Sequence, residues 1–167
     1  TGENEMPKYY IDFKTISMLW DNAASMPQLN HLLSNKKKFA HEFYTSAINL
    51  ALLLDELERT SQPTKLEKAE KEFRRLFVRQ KAPNKLVSMH QHLSSLRSKW
   101  AKHARDSDYE LSFNTAIELA TAEDTHVNSY VTYIKDEKKL TDFADFVSST
   151  TKQFKVVHPD AIIDGFM

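Results

Sequence analysis

The 167-residue chain carries 23 basic and 23 acidic side chains, so its formal net charge is zero, and 41% of its residues are hydrophobic. That composition suits one globular domain with a real core. With no cysteine there is no disulfide framework, thiolate nucleophile or cysteine-based zinc site. The two glycines, Gly2 and Gly165, lie near the ends, which excludes the interior glycine loops of dinucleotide folds and P-loops.

The opening Thr-Gly-Glu-Asn-Glu has no basic lead into an apolar run, so no signal peptide is read there. Residues 1–7 are expected to be a disordered tail. A first helix is predicted from Lys8 to Ala24, with Phe13, Ile16 and Trp20 on one face, and a short one follows Pro27 through Leu29, Leu32 and Leu33. Lys36 to Glu58 reads as the longest helix, striped by Phe39, Phe43, Leu50, Leu54 and Leu57. Its apolar stretch Ala47 to Leu54 is interrupted by Asn49 and closed by Asp55, well short of a membrane span. Thr64 to Gln80 presents Leu66, Ala69, Phe73, Leu76 and Phe77, with Glu70 and Arg74 as an i,i+4 pair on its wet side.

After Pro83, Leu86, Met89, Leu93, Leu96, Trp100 and His103 form one continuous helical seam. Tyr109, Leu111, Phe113, Ile117 and Leu119 fall on alternate positions and suggest a short extended segment. Helix resumes either at Thr115 with Glu118 or at Thr121 with Asp124. A last helix runs from Lys139 to Phe154, and a tail begins at His158-Pro159-Asp160. The expected fold is therefore all-α, an up-and-down bundle of five to seven helices over residues 8–157, with a C-terminal tail over 158–167.

Charge is sorted along the chain. From Phe73 to Arg105 there is no Asp or Glu, while Arg74, Arg75, Arg79, Lys81, Lys85, Arg97, Lys99, Lys102 and Arg105 are all basic. The next stretch inverts the sign with Asp106, Asp108 and Glu110. Such a block suits a polyanion, with a titratable His103 at its edge. Arg74, Arg75, Arg79, Lys81, Lys99, Lys102 and Arg105 are the candidate RNA contacts.

Within that block, Leu96-Arg97-x-Lys99-Trp100-x-x-His103 is similar to the Leu-Arg-Asp-Lys-aromatic-x-x-His strings of abortive-infection-type HEPN domains. The resemblance covers about fifteen residues. It departs at Ser98, where the family usually places Asn, Asp or His. It implies a helical bundle that forms a homodimer and cleaves RNA without metal or cofactor, of a defence or toxin–antitoxin kind. Arg97 would stabilise phosphorane charge and His103 would move the proton. Six positions along a helix leave the two side chains roughly 120° apart, so a two-fold partner would help to assemble the site. A protein antitoxin or regulator as partner follows from the same reading, and the absence of cysteine fits a cytoplasmic location. His103 also continues the Leu96 and Trp100 stripe, which equally describes a half-buried histidine at a helix end. A non-catalytic helical binding module, whose basic block docks an acidic protein, is the alternative.

Glu123-Asp-Thr-His126 has the Glu-x-x-His spacing of di-iron bundles, but no second copy occurs. No metal site is assigned on that basis.

Overall fold

The structure, a computed structural model, describes residues 7–35, 41–60, 65–80, 113–150 and 153–162. Its centre is a parallel sheet of five strands, which overturns the all-α, HEPN-like bundle expected above. The strands are β1 (Lys8–Ile11), β2 (Glu42–Ser46), β3 (Val78–Gln80), β4 (Ser129–Val131) and β5 (Lys155–Val157), in the order β3-β2-β1-β4-β5. Between them run α1 (Phe13–Asp21), α2 (Pro27–Ser34), α3 (Ala47–Arg59), α4 (Leu66–Leu76), α5 (Phe113–Asp124) and α6 (Glu137–Thr150).

Strand alternation sends neighbouring side chains to opposite faces. Tyr9, Ile11, Phe43 and Val131 join a core beneath α1 to α4, with Ile16, Leu53 and Phe73 fully buried in it. Tyr10 and Tyr130 join a second core with Phe143, Val147 and Phe154 on the other face. Tyr10 lies opposite Tyr130 in the register, and their rings stack 5.4 Å apart at 7°. Both faces are thus covered, as a parallel sheet requires.

The helical expectations fail where strands of only three to five residues form the sheet. Such short apolar runs carry no period that separates strand from helix. Thus the described part of the helix expected over 36–58 holds β2 followed by α3, and the one expected from Lys8 begins at Phe13. In the stretch 64–80, α4 ends at Leu76 and β3 follows. Phe113 to Leu119, read as extended, is helical, and α5 starts before either proposed cap. Phe154 leads into β5. Residues 158–162 carry a 3-10 turn, and Ile162 is buried in the first core. The helix expected after Pro83 lies outside the described residues.

Local chemistry fixes the helix starts. Asp12 caps α1 by accepting from the Thr15 amide, Ser46 caps α3 by accepting from Ile48, and Pro27 opens α2. Among the described residues no helix is long and apolar enough to cross a membrane.

Phe73 is fully buried and packs its ring 5.0 Å from Phe77 and 6.1 Å from Trp20. Phe73→Ala is expected to cost about 3–5 kcal/mol in urea unfolding. A loss below about 1 kcal/mol would contradict the described packing.

Candidate functional site

The chain leaves β1 outward to β2 and β3, then returns to the other side of β1 with β4 and β5. The carboxyl ends of β1 and β4 therefore diverge at a topological switch point, the place where open α/β sheets hold ligands. Asp12 follows β1 there and Thr132 follows β4. The Asp12 amide donates to the Val131 carbonyl (3.1 Å), and the Thr132 hydroxyl donates to Asp12 Oδ2 (2.6 Å). Asp12 Oδ1 accepts from the Thr15 amide (2.9 Å) and the Thr15 hydroxyl (2.7 Å).

A second carboxylate, Glu118, arrives from α5. Its Oε1 accepts from the Phe13 amide (2.9 Å), the Asn49 side-chain amide (2.7 Å) and the Tyr10 hydroxyl (3.2 Å). Asn49 Nδ2 also donates to the Thr45 hydroxyl (2.9 Å), which in turn donates to the Ile11 carbonyl (2.9 Å). One network thereby ties β1, β2, β4, α1, α3 and α5 together.

Both carboxyls are buried, each 3% exposed. Burial pushes the Glu118 pKa well above the usual carboxylate range, and the neighbouring Asp12 charge pushes it further. Burial also raises Asp12, against hydrogen bonds from Thr132 and Thr15 and the positive charge of Lys14. Tyr10 is raised by burial and then by the same two acids.

The donor set fits a hard divalent cation. Asn49 is fully buried, both its amide hydrogens are engaged, and its Oδ1 has no hydrogen-bond partner among the described residues. An unpartnered buried amide oxygen on a residue that touches Glu118, with the Asp12 carboxyl near enough to act on that acid, is the oxygen-rich, few-ligand arrangement that Mg²⁺ accepts. Asp12, Glu118 and Asn49 would hold it. Among the described residues no group of three or more His, Cys, Asp or Glu forms a metal site, Glu123 and His126 included.

The sequence-predicted residues lie elsewhere. Arg74 and Arg75 stand on the exposed side of α4, paired with Glu70 (2.8 Å) and Glu72, and Arg79 belongs to β3. Arg97 and His103, with Lys81, Lys99, Lys102 and Arg105, lie outside the described residues. Asp12, Asn49 and Glu118 are missing from the sequence expectations. The available signal was an aspartate closing the apolar run Tyr9-Tyr10-Ile11 just ahead of a helix.

Strand order and acid placement define the class: a doubly wound α/β protein in which an aspartate, not a glycine loop, leads from β1 into the first helix. No protein-family model matches the sequence, and no curated protein matches it. Solved structures match the fold. The chain is similar to one in the structure of VapBC-1 from nontypeable Haemophilus influenzae, with TM-score 0.57 and 12% identity over 91% of this chain and 98% of that one. It is also similar to one in DNA-bound VapBC from Salmonella typhimurium, with TM-score 0.59 and 16% identity over 92% and 99%. At these identities the likeness is one of fold.

The raised carboxyls make stability pH-dependent. In the unfolded chain they ionise near pH 4, whereas the fold retains their protons to higher pH, so the native state binds more protons. Their contribution is fully present below about pH 4 and is lost as pH rises through the raised values. The melting temperature in metal-free buffer should fall across that window, and Glu118→Gln should flatten the profile. An equally steep decline in the variant would remove Glu118 as its source.

Proposed function

We propose that this chain is the toxin-type member of a toxin–antitoxin pair, a divalent-cation-dependent ribonuclease acting at the carboxyl edge of its sheet. One observation carries the reading: Asp12 and Glu118, each acting on the other's charge, converge at the switch point, and the Asn49 that donates to Glu118 has an unpartnered amide oxygen. The likeness to VapBC structures over nearly the whole chain supports both the toxin–antitoxin setting and a protein antitoxin as partner. The run from Arg74 to Arg105, basic and without an Asp or Glu of its own, supports RNA as the polyanion.

Each residue has a definable task. Thr15 and Thr132 fix both oxygens of Asp12, while Phe13, Tyr10 and Asn49 fix one oxygen of Glu118. A divalent cation bound there supplies Lewis acidity toward a phosphodiester and its attacking water. Its positive charge would favour ionisation of both carboxyls, reversing the effect of burial. Both carboxylates come from one chain, so the homodimer expected from the Arg97 and His103 reasoning is not needed to assemble this site.

A second reading, an RNA- or antitoxin-binding protein without cleavage, is favoured by the internal donors that already engage both carboxylates.

Purified chain incubated with an RNA panel should cleave with Mg²⁺ or Mn²⁺ and stop in EDTA. Asp12→Asn and Glu118→Gln should each lower the rate on the order of 100-fold or more while leaving the fold intact. Cleavage that survives EDTA and is lost in His103→Ala would instead support the metal-independent Arg97 and His103 chemistry. Salt-sensitive RNA binding with no cleavage under any condition would leave the second reading.

A further inference from the structure

A cleft of about 510 Å³ opens between α1 and α3. Its connection to the site is covalent. Phe13, whose amide holds Glu118, lines it, and so does Tyr133, which follows the Asp12 partner Thr132. Lys14 stands at the rim, near enough for its charge to act on Asp12.

Two features set its chemistry. The ring walls are held by contacts outside the cleft: Trp20 packs against Phe73 and Phe77, and Tyr133 lies 5.3 Å from the ring of His158. Such fixed walls bind flat ligands at low ordering cost. Within the lining, the Glu56 carboxylate is half-buried and oriented by Ser17, whose hydroxyl sits 2.9 and 2.8 Å from its two oxygens. One hydroxyl has a single hydrogen to give, so both carboxylate oxygens retain acceptor capacity.

We propose that this cleft is a guanine-binding subsite, in which the Glu56 carboxylate accepts the paired N–H donors of the base and the Trp20 and Tyr133 rings provide its apolar walls. The inference rests on the RNA-directed reading above and gives it a base preference. Single-stranded RNA is read by stacking on aromatic side chains and hydrogen bonding to exposed base edges. Guanine alone presents two adjacent donors, N1–H and N2–H, to a two-oxygen acceptor. Adenine and cytosine set one amino donor beside a ring-nitrogen acceptor, and uracil flanks its single N–H with two carbonyls. Against a carboxylate those acceptors are repulsive.

Calorimetric titration of the full chain with GMP, AMP, CMP and UMP tests this without requiring cleavage. GMP should bind roughly tenfold or more tighter than the other three, and Glu56→Gln should abolish the preference. If circular dichroism shows that variant to be unfolded, the wild-type preference and a severalfold loss of GMP affinity in Ser17→Ala decide the matter. Equal affinity for all four nucleotides, no binding of GMP, or an unchanged preference in folded Glu56→Gln overturns the proposal. GMP selectivity in a protein that cleaves no RNA would leave the subsite standing while the ribonuclease reading fails. Cleavage without GMP selectivity would do the reverse.

Discussion

The structure turns on two buried carboxyls held in place by hydrogen bonds. An ionised carboxylate away from water is tolerable only when its oxygens are fed by donors or a cation. Asp12 draws its donors from the start of α1 and the end of β4, and Glu118 draws its own from β1, α1 and α3. These elements are far apart in sequence, Asp12 and Thr132 being separated by 120 positions. The need to satisfy the acids therefore specifies which strands sit side by side at the centre of the sheet.

That constraint explains why the acids stand where the strand order reverses. Between β1 and β4 the chain leaves in opposite directions, so the ends remain accessible to side chains from α3 and α5. The hydrogen bond from Thr132 to Asp12 closes the floor of that crevice. Asn49 shows the same logic from the other side: its amide hydrogens serve two partners while its oxygen serves none among the described residues.

How much of this was legible in the sequence follows from element length. Amphipathic stretches long enough to show a period, such as α1, α4 and α6, are seen as helices with their ends shifted by a few residues. The sheet was invisible because its strands are too short to display alternation against a flanking helix, and Phe43 fits a helical stripe as readily as a strand. The scarcity of interior glycine does not exclude a doubly wound sheet, since Asp12 makes the first turn. The site escaped for a related reason. Asp12, Asn49 and Glu118 share no local spacing, and only the crossovers bring them together. The charge block drew attention instead because it is contiguous.

Tyr10 belongs to two worlds at once. Its ring is pressed between sheet and helix against Tyr130, which itself abuts Phe143 and Phe154, while its hydroxyl touches Glu118. The apolar layer on this face of the sheet is thus mechanically geared to the acid that α5 brings in. Substitutions in that layer are not free to drift as ordinary packing changes do. A lineage that repacks Phe143 or Phe154 must keep the Tyr10 ring in register, or the altered tilt is transmitted straight to the carboxyl.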